Sequence, residues 1–271
     1  MTSPNPNAAR YETVTDAGPD APWMTMVHGV SQDRRVFSAQ VADFRGRFRL
    51  LLIDLPGHGL STDIPGPYGL AEFASAIRAT FAEVGVDRTH FWGTHLGAGA
   101  GLLLACREPG LFLSLVLEGP VFPGRTLPMV SDILARIAAI ATEQGMDAAR
   151  RVWWEEGAWF AAMRDNPACR GAEHRAIIED FQGRPWLDAG LATRPIDPID
   201  GLLAKLKVPV LIYNGEHDVP DFLQAADALE AALPACGRGI IPDAAGFPFW
   251  EFPDRVNAEV RSFLDSLPPS D

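Results

Sequence analysis

Two rhythms of apolar residues alternate along this chain. Short continuous runs read as strands buried on both faces: Trp23 to Val27, Phe48 to Asp54, His90 to Gly93, Leu111 to Leu117, Val208 to Tyr213 and Arg238 to Pro242. Between them lie stretches with helical spacing, notably Leu70 to Val84 and Leu96 to Cys106. The second is rich in Gly and Ala, small enough to lie close on a sheet. Strands separated by helices require crossovers, so the pattern predicts an α/β fold, a mainly parallel sheet covered on both faces. About seven or eight strands are expected.

From about Val121 to Leu206 the rhythm changes to helices with no convincing strand. This predicts a helical cap, 121–206, inserted between two parts of an α/β core, 11–120 and 207–271. Residues 1–10 read as a disordered lead and the final SLPPSD as a frayed tail. The cap carries Trp153, Trp154, Trp159, Phe160 and Trp186, which either pack cap against core or line an apolar pocket.

The chain is 271 residues long and carries a net charge of −12. Such a surface repels phosphate backbones and anionic lipid, so nucleic acid and membrane surfaces are poor partners. No run is long enough to span a bilayer, and no secretory signal is visible. Cys106, Cys169 and Cys236 are widely separated and give neither a disulfide framework nor a metal-ligand spacing, which suits a reducing cytoplasm. No dinucleotide or phosphate-binding glycine motif is present, so no cofactor and no metal are expected. The oligomeric state is left open.

The chemistry concentrates in Gly93-Thr94-His95-Leu96-Gly97, which has the form of a G-x-S-x-G nucleophile elbow with histidine at its centre. Other motifs accompany it in order: His28-Gly29-Val30 after a strand, Asp54-Leu55-Pro56-Gly57-His58-Gly59-Leu60-Ser61, Gly215-Glu216-His217-Asp218, and Asp243 to Glu251. Together they resemble the α/β-hydrolase superfamily over nearly the whole chain, nearest its cofactor-free enol-lactonases, C–C bond hydrolases and small esterases. The resemblance implies an α/β-hydrolase fold, a triad at His95, Asp218 and Gly246, and oxyanion donors from the backbone of Val30 and Leu96. Only the acid of that triad keeps its residue type. The nucleophile is an imidazole, and glycine stands where the catalytic histidine belongs; neither Ala245 nor Phe247 can replace it.

These substitutions lead to one expectation. Gly246 vacates the space of the family's imidazole, and His95 enters it to meet Asp218, forming a relocated dyad. The chain would then be a cofactor-independent hydrolase or lyase of a small, partly apolar carbonyl compound, working without a serine nucleophile. His28, Trp153, Trp154, Trp159, Phe247 and Trp250 are the expected substrate pocket. Ser31, just past the oxyanion loop, is the one serine with a positional claim to nucleophilic work. The alternative is a catalytically inactive relative that binds a ligand or a partner protein.

Overall fold

The structure, a computed structural model, describes Asn5 and residues 7–268. Seven strands form one sheet: β1 Arg10–Val14, β2 Trp23–Val27, β3 Arg49–Asp54, β4 Thr89–Thr94, β5 Phe112–Glu118, β6 Val210–Gly215 and β7 Cys236–Ile241. Their spatial order is β1-β3-β2-β4-β5-β6-β7. All neighbours pair in parallel except β1, which runs antiparallel to β3 with Arg10 opposite Asp54. The five inner strands are almost wholly buried, which is why they read as unbroken apolar runs.

β1 corrects the expected lead. The sequence RYETV is half-exposed at an edge, so it offers little apolar signal. The residues before it are ordered too: Ala8 and Ala9 are buried, and Ala9 N–H donates to Thr80 Oγ1 at 3.0 Å. Residues 1–4, 6 and 269–271, the rest of the expected lead and tail, lie outside the described residues.

Helices α1 Ser38–Phe44, α2 Leu70–Val84 and α3 Leu96–Arg107 connect the first five strands. Six helices lie between β5 and β6: α4 Pro128–Gln144, α5 Met146–Glu156, α6 Ala161–Asp165, α7 Gly171–Asp180, α8 Arg184–Leu187 and α9 Asp200–Leu203. The chain closes with α10 Pro220–Ala232, α11 Pro248–Glu251 and α12 Pro253–Ser266. No helix among the described residues is long and apolar enough to cross a membrane.

The strand order decides where a site can form. The chain passes from β2 to β3 on one side, then returns to place β4 on the other. In open parallel sheets the crevice at such a reversal, beyond the carboxyl ends of the strands, is the natural ligand position. His28-Gly29-Val30 follows β2 and His95 follows β4, so both arrive at that crevice.

Candidate active site

The elbow is set by close packing. A Cβ at Gly97 would lie 2.3 Å from Val27 O, and one at Gly93 would lie 2.6 Å from Ala98 N. Neither position accepts a larger residue without moving backbone. Between them His95 takes φ 45° and ψ −104°, a strained conformation for any L-residue. Its N–H donates to Glu118 O at 2.8 Å, and its carbonyl accepts from Gly99 N–H at 2.9 Å, so the strand–helix turn is fixed from both sides.

The imidazole is buried, and neither ring nitrogen has a hydrogen-bond partner. It lies between the rings of Phe222 and Phe247, with centroids 4.5 and 4.8 Å away. A Cβ at Gly29 would sit 3.6 Å from Nδ1, and one at Gly119 would sit 2.9 Å from Nε2. The ring thus spans from the oxyanion loop to the turn after β5. Burial pushes its pKa down to about 3, so it is neutral at pH 7.

Asp218 stands on the far side of the same turn. The Gly119 Cβ position is 3.3 Å from Asp218 Oδ2. The two side chains face one point on the backbone, but no hydrogen bond joins them. Asp218 instead accepts from Asn214 Nδ2 and Val219 N–H, each at 2.8 Å. Burial raises its pKa to about 7.

The space expected at Gly246 is already filled. A Cβ there would lie 2.3 Å from Trp159 Cβ and 2.9 Å from Trp159 Cα, and Gly246 N–H donates to Trp159 O at 3.2 Å. The helical segment between β5 and β6 lays its backbone directly on this glycine. His95 therefore does not enter that volume, and the expected direct His95–Asp218 contact is absent.

The loop after β2 runs beside the elbow, with a Cβ at Gly29 lying 3.4 Å from His95 Cβ. Leu96 is the first residue of α3, so its N–H has no intrahelical acceptor. Val30 N–H has no acceptor among the described residues. Gly29 N–H donates to Gln32 Oε1, and Gln32 Nε2 lies 3.1 Å from His174 Nε2 on α7. Ser31 has φ 62° and its buried Oγ accepts from Trp153 Nε1 at 2.8 Å.

A cavity of about 30 Å³ adjoins His95, lined by Val30, Val130, Trp153, Trp159, Phe222 and Phe247. It is large enough for about one or two water molecules. Of the six residues expected to form a substrate pocket, Trp153, Trp159 and Phe247 line this cavity, and His28, Trp154 and Trp250 do not. His28 is fully buried behind the loop, its Nδ1 bonded to Gly29 O and its Nε2 accepting from Leu55 N–H. Trp154 stacks on His174, and Trp250 donates to Cys169 O beneath Arg170. Phe222 and Val130 line the cavity without having been expected. Phe222 lies in the first turn of α10, four residues after Asp218, a position that could have flagged it.

Sequence reasoning also missed a buried group of acids behind the imidazole. Glu118 ends β5; its Oε2 accepts from Phe249 N–H at 3.0 Å, and its Oε1 has no partner. Burial pushes its pKa well up, and Glu251 is raised to about 7 by the same cause. Nothing in a β-rich run ending in Glu distinguishes a buried carboxyl from an exposed one. Among the described residues no group of three or more His, Cys, Asp or Glu side chains is arranged to hold a metal ion.

A model of the alpha/beta hydrolase family matches residues 26–259. The chain belongs to this family. It is 26% identical over 268 residues to a pimeloyl-[acyl-carrier protein] methyl ester esterase of Nitrosomonas europaea, covering 92% of this chain and 96% of that protein. It is 32% identical over 167 residues to a 2-succinyl-6-hydroxy-2,4-cyclohexadiene-1-carboxylate synthase of Citrobacter koseri, covering 62% of this chain and 56% of the synthase. Among solved structures, the enol-lactonase of Burkholderia xenovorans superposes with a TM-score of 0.82 at 22% identity, over 95% of this chain and 96% of that one. These relatives are hydrolases and lyases, and the structural likeness establishes the fold.

Proposed function

We propose that this family member is a cofactor-independent hydrolase or lyase of a small, partly apolar carbonyl compound, acting without a serine nucleophile. His95 is the base and Asp218 the carboxylate that orients it. One observation carries this reading: a buried imidazole with both nitrogens unpartnered, held on a strained elbow. Each feature is unfavourable alone, by roughly 1–3 kcal/mol, and such features gather at functional sites.

The chemistry follows from the orientation of the ring. Nε2 faces Asp218 and Nδ1 faces the oxyanion loop. A small approach of the ring to an ionised Asp218 makes an Nε2–H donor to Oδ2. Nδ1 then accepts a proton from water, or from carbon next to a carbonyl, and the imidazolium formed is stabilised by the carboxylate. The N–H groups of Val30 and Leu96 receive the charge developing on the carbonyl oxygen. Because Asp218 has a pKa of about 7, activity rises as pH passes upward through that value. Substrate entry requires the helical segment, acting as a cap, to lift, since the cavity of about 30 Å³ admits no organic ester. A cytoplasmic setting belongs to the same reading, supported by three free cysteines.

A second reading is favoured by the packing of Trp159 on Gly246. It makes the chain a catalytically inactive relative that binds a ligand or a partner. Assays with short p-nitrophenyl esters and lactones, classes suggested by the esterase and enol-lactonase relatives, separate the two. The enzyme reading expects turnover that falls by roughly 10²–10⁴ in His95→Ala and is weakened in Asp218→Asn. No turnover above background in the wild type supports the inactive reading, and equal turnover in wild type and His95→Ala removes the imidazole from the mechanism.

A further inference from the structure

At the amino ends of the parallel strands, opposite His95, the surface holds a depression of about 650 Å³. Its polar lining is cationic: Arg88 before β4, and Lys205 and Lys207 between α9 and β6. These are the only two lysines in the chain. No Asp or Glu lines the depression, although acids outnumber bases 35 to 23 in the sequence. The contrast with the rest of the surface is sharp. Most arginines here are ion-paired, and the other large depressions mix both signs, as with Glu72 and Glu108 beside Arg78 and Arg194. Arg88, Lys205 and Lys207 form no ion pair among the described residues.

The base of the depression is apolar, built from Phe112, Val208 and Leu267, with one polar group in it. That group is His90, whose Nδ1 lies 2.8 Å from Ser114 Oγ. Three unpaired cations around an apolar base form a field that an anion neutralises, in a protein whose overall charge repels anions elsewhere. Bidentate pairing by Arg88 and point charges from the lysines suit a doubly charged head, and the base suits a short apolar body.

We infer that this depression is a binding site for a small amphipathic dianion, an organic phosphate monoester or dicarboxylate, distinct from the His95 cavity. Burial together with Arg47 and Arg88 pushes the His90 pKa down to about 4, so its ring reports directly on a neighbouring negative charge. Occupation raises that pKa.

Calorimetric titration of the full chain with phenyl phosphate, inorganic phosphate and phenol tests the site. Phenyl phosphate is expected to bind saturably, at least about tenfold more tightly than either other probe. Binding should weaken at least about tenfold in the double variant Lys205→Gln with Lys207→Gln, and again in Arg88→Gln. These residues are exposed, so the variants fold, and unchanged melting temperature checks this. In NMR, the His90 imidazole signals should move and titrate higher while those of His95 stay fixed. Undiminished binding in the lysine variant, no saturation by ~10 mM, equal affinity for inorganic phosphate, or movement of His95 in place of His90 overturns the inference.

Discussion

Gly246→Ala is the smallest change that probes how the helical segment sits on the site. Gly246 is not among the residues with positive φ, so alanine meets no backbone strain there. Replacing glycine also restricts the unfolded chain, which by itself stabilises by ~0.4–1 kcal/mol. Against this stands the added methyl, 2.3 Å from Trp159 Cβ, 2.9 Å from its Cα and 3.1 Å from its carbonyl oxygen. Two of these atoms are backbone, so no rotamer change relieves the contact. The turn at Ala158–Phe160 must move, straining the Gly246 N–H bond to Trp159 O and the Trp153–Trp159 ring contact at 4.7 Å. Overpacking of this kind costs about 1–3 kcal/mol and a weakened hydrogen bond about 1 more, so the clash outweighs the entropic gain. The expected net loss is ~1–3 kcal/mol, or roughly 3–10 °C in Tm. Urea denaturation followed by tryptophan fluorescence measures it, with Gly201→Ala as control, since nothing lies within 4 Å of a Cβ at Gly201. The control should be neutral or slightly stabilising. Adding Trp159→Gly to Gly246→Ala should give less loss than the sum of the single changes, because it removes the Cβ–Cβ contact. A Gly246→Ala protein as stable as wild type would refute the packing argument, and with it the explanation of why His95 stays out of that space.

Other predictions follow from the buried polar groups. Trp153→Phe removes the donor to Ser31 Oγ and should destabilise by about 1–3 kcal/mol; with Ser31→Ala the losses should be sub-additive in urea titrations, and full additivity would contradict the bond. Burial holds His58, His95 and His174 near a pKa of about 3 and His90 near 4. Unfolded, each binds a proton near pH 6.5, so stability present above that pH is lost as pH falls, at ~1.4 kcal/mol per pH unit for each histidine. Asp218 and Glu251, with folded pKa values of about 7, and Glu118, which burial pushes well above its usual range, oppose this: they favour the fold at low pH and lose that contribution as pH rises. Between about pH 4 and 6.5 the histidines outnumber these carboxyls, so the urea midpoint should drop on acidification; a flat or rising midpoint would contradict the burial of neutral imidazoles.

Much of the architecture is legible in the chain because it follows from local spacing. Continuous apolar runs mark the inner strands, and the Leu70–Val84 helix has the bounds its periodicity implies. The elbow is legible because Gly93 and Gly97 are required by backbone contact. β1 escapes because an exposed edge strand needs no apolar run. The site is less legible where it depends on long-range packing. No local pattern tells that Trp159 comes to rest on Gly246, 87 positions later, or that Glu118 is buried with one carboxyl oxygen unpartnered. His28 and Trp250 look like pocket residues by motif and chemistry, yet their polar atoms are consumed by Leu55, Gly29 and Cys169.

The central claim is electrostatic: a neutral, unpaired imidazole occupies the elbow beside a carboxyl that titrates near neutrality. Site-resolved NMR titration of the His95 ring nitrogens and the Asp218 carboxyl carbon from about pH 4 to 8 tests it most directly. The account predicts that His95 stays neutral across that range while Asp218 changes charge near pH 7. A His95 ring that gains its proton near pH 6.5, beside an Asp218 already ionised at pH 5, would contradict it.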